Sequence, residues 1–249
     1  MGTTKLTRKE ILAEDPVHEA MLQMIEFTKV HGKRTALVVA AALVVALGIY
    51  AGLQYLDNRE TQAQEQLGKA IEFFHGQVAA DATDDPYGKG ATPTFRSHKA
   101  KYEAAAREFA SLASGYGYSK LAVLARYYLG LCQKELGDPK GAIASLEPVA
   151  SNSKDRMVGY LAKKVLAGVY VTTGNYKAAD ELLRGMIKDP QCILPKEDMS
   201  LQLSRSLVAE GKKDEAMKVL REAVAQGQVF TSGKQQLSQE LDRLQKQHP

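Results

Sequence analysis

A chain of 249 residues, 45% hydrophobic and 25% charged, is long enough for one large domain or two small ones. Its charges nearly balance, 33 Lys and Arg against 29 Asp and Glu, and a net charge of +4 gives little reason to expect a nucleic-acid partner. Two cysteines exclude a disulfide scaffold, a Cys-rich zinc module and a four-thiolate iron–sulfur centre, and neither opens a Cys-x-x-Cys-His haem motif. With no Trp and 7% aromatics, the composition suits a helical repeat protein better than a β-sandwich.

Residues 1–34 read as a cytoplasmic arm. Asp15-Pro16 has the order of an N-cap and a first helical residue. Val17, Ala20, Met21, Met24 and Ile25 follow at helical spacing, and Gly32 is expected to end the run. This predicts a short amphipathic helix leading to the membrane, docked on a partner or lying at the interface. His18 and His31 have no second ligand at metal spacing and read as surface residues.

Residues 35–53 contain no ionisable side chain over nineteen positions, bounded by Lys33 and Arg34 before and by Asp57 and Arg59 after. As a helix this run covers roughly 29 Å, close to the hydrocarbon thickness of a bilayer. The preceding segment is too long and too mixed in charge for a signal-peptide n-region, and no A-x-A cleavage site follows, so the run reads as a retained signal anchor. No cysteine follows it as a lipoprotein needs, and Leu6 stands where myristoylation requires Ser or Thr. Lys5, Arg8, Lys9, Lys29, Lys33 and Arg34 precede the span, whereas only Arg59 and Lys69 lie in the first twenty residues after it. The positive-inside rule then places the N-terminus in the cytoplasm and the rest in the periplasm, across a bacterial inner membrane. Ala36, Ala40, Val44, Gly48 and Gly52 recur every four residues, and Gly48–Gly52 is a G-x-x-x-G spacing that lets a second helix approach closely. Ala- and Gly-rich spans also meet that spacing by chance.

Residues 54–249 repeat. Gly137, Gly174 and Gly211 stand thirty-seven residues apart. Ala142, Ala179 and Ala216 follow them in register, then Leu146, Leu183 and Leu220. Leu129, Leu166 and Leu203 precede the glycines, each followed by a small residue, Gly130, Ala167 or Ser204. The units fall near 123–156, 160–193 and 197–230. An earlier unit, 58–115, is split by an insertion over 76–97 rich in Gly, Asp and Pro, which reads as a surface loop. Ser232, Leu237, Leu241 and Leu244 mark a capping helix over 232–247. The glycines are expected in tight turns at positive φ, and the small residues where two helices of a unit meet.

Leu129-Gly130, Gly137-Asp138, Ala142 and Leu146 resemble the tetratricopeptide repeat, as do Leu166-Ala167, Tyr170, Gly174-Asn175-Tyr176, Ala179 and Leu183. The resemblance implies an all-α fold: an amphipathic helix and one transmembrane helix, then a right-handed α-solenoid closed by a C-terminal cap. One N-terminal span before a degenerate array is also similar to the ancillary subunits of the bacterial SecYEG translocon, which associate with the secretion channel and periplasmic chaperones. By the register of the resemblance, Tyr127, Leu131, Lys134, Lys164, Val171, Thr172 and Arg205 face a groove suited to an extended or helical peptide. They read equally well as solvated groove residues. The paired Asn and Lys/Arg of the family's carboxylate clamp are missing, since Asn is absent from those positions.

No catalytic constellation emerges. His75 and His98 flank the insertion with Asp81, Asp84 and Asp85 between them, which reads as an acidic loop tip rather than a metal site. Neither a G-x-S-x-G elbow nor a phosphate loop occurs. Cys132 is expected as a buried thiol and Cys192 as a loop thiol, with a disulfide between them the alternative in an oxidising compartment. The expectation is therefore no enzyme, cofactor, metal, nucleic acid or small-molecule substrate. It is a membrane-anchored scaffold, an accessory subunit of a larger membrane complex such as a translocon, envelope, respiratory or photosynthetic assembly. The alternative is a periplasmic holdase-like factor for unfolded envelope proteins.

Overall fold

The computed structural model describes residues 16–83, 85–88, 90, 92–116, 120–226 and 232–246. Asp15, Asp84, residues 227–230 and residue 247 lie outside them, as do the side chains of Val17, His18, Ala20, Met24 and His31. The elements in chain order are α1 (Pro16–His75), β1 (Gln77–Val78), β2 (Thr94–Phe95), α2 (His98–Gly115), α3 (Lys120–Glu135) and α4 (Pro139–Asn152). They continue as α5 (Arg156–Thr172), α6 (Tyr176–Lys188), α7 (Lys196–Glu210), α8 (Lys213–Gln226) and α9 (Ser232–Lys246). Helix dominates, as the repeat pattern predicts.

Helix α1 runs without a break for 60 residues and passes through Gly32 instead of ending there. A helix stop at glycine uses the left-handed conformation. Among the described residues that conformation occurs at Gly137, Gly174 and Gly211, not at Gly32. An interior glycine costs about 1 kcal/mol, a small sum over a helix of 60 residues. The chain divides into two compact units, Met1–Thr61 and Gln62–Pro249. In the first, the side chains of Leu37, Val38, Val39, Leu43, Val44, Val45, Leu47, Ile49, Tyr50, Leu53, Tyr55 and Leu56 are 57% to 72% exposed. This stretch is long and apolar enough to cross a membrane, and none of it is buried within the protein.

In the second unit the three turns are copies of one device. Gly137, Gly174 and Gly211 take φ of +73°, +76° and +90°. The amide after each, on Asp138, Asn175 and Lys212, donates to the carbonyl five residues back at 2.8 Å, the bond pattern of a Schellman stop. Asp138 and Asn175 then serve as N-caps, their side chains accepting from the amides of Gly141 and Ala178. The first two turns thus end one helix and cap the start of its partner, while the third, at Gly211, has the helix stop alone.

Small residues let the partners close. A Cβ at Gly130 would lie 2.5 Å from Cγ of Leu146, so α3 and α4 meet at a distance only glycine permits. Ala167, Ala142, Ala179 and Ala216 are wholly buried. The same place in the last unit holds Ser204, also wholly buried, whose hydroxyl has no hydrogen-bond partner. An unsatisfied buried hydroxyl is destabilising, and alanine already stands at the register-equivalent Ala167. Ser204→Ala is therefore expected to raise stability by about 1 kcal/mol; a lower urea midpoint would refute this reading of the hydroxyl.

Three buried clusters follow the chain. The first is aromatic and joins Phe73 of α1, Phe95 of β2, Phe109 and Leu112 of α2 and Cys132 of α3. The second joins Leu146 and Val149 of α4 to Leu166 and Val169 of α5. The third runs from Leu183 and Met186 through Leu203, Leu207 and Leu220 to Leu237 and Leu244 of α9, the cap. The insertion is tied to the first cluster. Its two strands pair in parallel, Gln77 with Thr94 and Val78 with Phe95, and seat the Phe95 ring 5.4 Å edge-on from Phe73. A Cβ at Gly76 would strike that ring and the carbonyl of Pro93. The hydroxyl of Tyr87 donates to Glu72 at 2.6 Å, and Nε of Arg96 to the carbonyl of Ala82 at 2.9 Å. The two thiols are free: Cys132 sits in the first cluster, Cys192 packs against the third.

Candidate functional site

Each helix from α3 to α9 packs on the next, and α3 also touches α5 as α5 touches α7. The first helices of the pairs therefore form one layer, where the sequence places the groove. Of its expected residues, Tyr127 is half-buried against the second cluster and lies edge-on to Tyr128 at 5.4 Å. Burial holds its phenol above the ordinary range. Val171 packs against the third cluster, and Leu131 is half-buried. The Thr172 hydroxyl donates to the carbonyl of Val169 at 2.8 Å, Lys134 pairs with Glu135 at 2.9 Å, and Arg205 is exposed. Lys164 is the member that reaches a neighbouring first helix: its ammonium pairs with Asp198 at 3.1 Å, and its carbonyl accepts from Gln202 at 3.0 Å. No hydrogen bond, ion pair or ring contact joins two of these seven residues. Tyr127 turns inward because a large ring in this position covers the apolar seam between α3, α4 and α5.

In the first compact unit, Ala36, Ala40, Val44, Gly48 and Gly52 are all exposed. A Cβ at Gly48 or Gly52 would meet nothing within 4 Å. Within that unit none of the described residues covers that face.

The histidines beside the insertion pack on aromatic rings: His75 lies edge-on to Phe74 at 5.2 Å, and His98 stacks on Tyr102 at 6.5 Å. Asp85 accepts from the amide of Tyr87 at 3.0 Å, closing a turn. No group of three or more His, Cys, Asp or Glu side chains able to hold a metal occurs among the described residues. Burial pushes the Cys132 thiol up to about 12, which leaves it protonated and a poor nucleophile.

Between α4 and α6, floored by α5, lies a cleft of about 740 Å³ that none of the seven groove residues lines. Leu166, Leu182 and Pro148 supply its apolar surface, and Glu147, Glu181 and Lys163 its charges. The Tyr170 hydroxyl donates to Glu147 at 2.6 Å, and burial with that carboxylate pushes the phenol up to about 12. Lys163 is turned over the Tyr160 ring at 5.1 Å. Among the described residues Glu181 has no hydrogen-bond or ion-pair partner. A smaller cleft of about 500 Å³ lies where Leu121 and Leu124 of α3 face Val158 of α5. The signal for the larger cleft was present in the thirty-seven-residue register, as a change of charge from unit to unit.

One further titrating group faces a helix boundary. Asp180 of α6 accepts from the Ser206 hydroxyl of α7 at 2.9 Å, yet burial holds its carboxyl above the ordinary 3.8. A raised folded value means that the native state holds the proton more tightly. Its contribution to stability is present below the unfolded value and is lost as pH rises through the folded one. Asp180→Asn keeps an oxygen for Ser206 and removes the partly buried charge. It should be more stable than the parent near neutral pH, with the advantage vanishing below about pH 3.8. An advantage equal at both pH values in denaturant titrations would show that charge is not its source.

The family model described as "Tetratricopeptide repeat-like domain" matches residues 29–192, more than half of the chain. Its match takes in the exposed apolar stretch of α1 as well as the helices through α6. No curated protein and no solved structure matches the chain.

Proposed function

The chain belongs to the tetratricopeptide repeat-like domain family, and on that premise we propose that it is a non-enzymatic, membrane-anchored scaffold, an accessory subunit of a larger membrane complex. Domains of this family are typically interaction modules without catalysis. The observation that carries the reading is the apolar stretch of α1. A soluble protein does not leave so long a run of Leu, Val and Ile open to water. In this reading residues 35–53 cross a bacterial inner membrane as a retained anchor, with the N-terminus cytoplasmic and the helix pairs periplasmic. The face from Ala36 to Gly52 packs against the spans of integral subunits, and the array holds their outer parts or soluble partners. A translocon-associated role is favoured by the architecture, one span followed by a helical array. The holdase alternative has less support. Outside α1, the large apolar side chains exposed among the described residues are Val78, Met157 and Ile193, which are scattered, whereas an unfolded client needs a contiguous apolar surface.

Extraction of native membranes in mild detergent tests the reading. The chain should run in a particle whose protein mass is well above its own 27.2 kDa, with stoichiometric integral subunits. A particle containing one copy and nothing else would refute it. In spheroplasts, external protease should digest the helix pairs and spare the N-terminal arm; the reverse pattern would overturn the orientation.

A further inference from the structure

The thirty-seven-residue register lets one repeat serve as a control for the next. Thirty-seven residues beyond Glu147 stands Arg184, and beyond Ala178 stands Glu215. Arg184 of α6 and Glu215 of α8 meet at 2.5 Å, an ion pair that straps the two second helices together. Beneath them Leu207, the register-equivalent of Tyr170, is wholly buried. One unit earlier the strap has no counterpart. Glu147 stands where the arginine would be, Ala178 where its carboxylate would be, and the helices α4 and α6 leave the 740 Å³ cleft open. Glu181, whose equivalent is Lys218, adds a second carboxylate with no partner. The one cation in the lining, Lys163, lies over Tyr160 instead of bridging the cleft.

We infer that the α4–α6 cleft, on the side of the second helices and away from the layer of first helices, is a docking site for a helical partner segment carrying a lysine or arginine beside apolar residues. The cation takes the place that Arg184 fills one repeat later, between Glu147 and Glu181. The apolar flank of the segment covers Leu182 and Pro148, above the buried Leu166. Two carboxylates against one diverted lysine set the sign of the partner, and the apolar floor sets its amphipathic character. This deepens the scaffold reading and rests on it, by naming the surface and the chemistry of one partner.

The probe is a short fluorescent amphipathic helix of Leu, Ala and Lys, titrated by anisotropy into the full-length protein in detergent, with a Lys-to-Glu counterpart as control. Glu147→Arg with Ala178→Glu installs the strap of the next repeat and closes the cleft; Glu147→Gln with Glu181→Gln removes its charge without filling it. Saturable binding of the lysine peptide, weakened about tenfold or more by each double variant and absent for the glutamate peptide, is the expected result. No saturable binding, binding by both variants as tight as by the parent, or equal binding of the two peptides overturns the inference. If the strapped variant fails to fold, judged by its helical signal, the Gln variant alone decides. A native membrane complex recovered intact beside a peptide that does not bind removes this site and leaves the scaffold standing. A solitary chain that binds the peptide does the opposite.

Discussion

Leu146→Ala is expected to destabilise the helical array by about 2–5 kcal/mol, and Gly130→Ala to cost about 1–3 kcal/mol of overpacking, offset by about 1 kcal/mol of helix propensity. The two residues compete for one volume. Leu146 is wholly buried, and its branch carbon lies 2.5 Å from where a Cβ on residue 130 would stand. In the double variant the new methyl enters space that the leucine has vacated. The combined loss should therefore fall short of the sum by about 1 kcal/mol. Helix arrays can unfold in steps, so the reading is the order of urea midpoints across the four proteins, followed by circular dichroism. Strict additivity would mean that Gly130 is not small for the sake of Leu146.

Phe109→Ala should cost about 3–5 kcal/mol, with the damage confined to the N-terminal end of the array. The ring is fully buried, stacks on Tyr128 at 5.1 Å and 11°, and lies edge-on to Phe74 at 6.5 Å. It thereby ties α2 to α3 and to the last turns of α1. Aromatic pairs of this kind add about 0.5–1.5 kcal/mol beyond burial. Each repeat leans only on its neighbours, so hydrogen exchange should quicken in α2 and in residues 62–75 while the amides of α7 to α9 keep their protection. Uniform quickening throughout would show one cooperative unit instead.

The parts of this fold that the sequence makes legible are those encoded locally or written more than once. Gly137, Gly174 and Gly211 are readable as turns because one hydrogen-bond pattern repeats at a constant spacing, and the structure gives all three a positive φ. The apolar stretch is readable from composition, since nineteen residues without a charge have few alternatives. Gly32 misleads because glycine stops a helix only when the backbone turns left-handed, and at Gly32 it does not. The strand pair of the insertion is invisible, because two residues have no period; what holds Gln77 beside Thr94 is the burial of Phe95 against Phe73. Tyr127 is assigned to the groove by register alone, yet its ring covers the seam with α4 and α5.

Sequence alone determined that the chain is a run of helix pairs with glycine turns, closed by a capping helix and preceded by a membrane-length apolar helix. Those features depend on neighbours within one or two helical turns, where backbone geometry leaves few choices. Only the tertiary structure decided which clefts close and which stay open. Arg184 reaches Glu215 across thirty-one residues of chain, while Glu147 meets a tyrosine hydroxyl and leaves Glu181 alone. Such encounters join side chains far apart in the chain, and the two repeats differ in what lies at the matching position, a wholly buried Leu207 in one and the larger, partly exposed Tyr170 in the other.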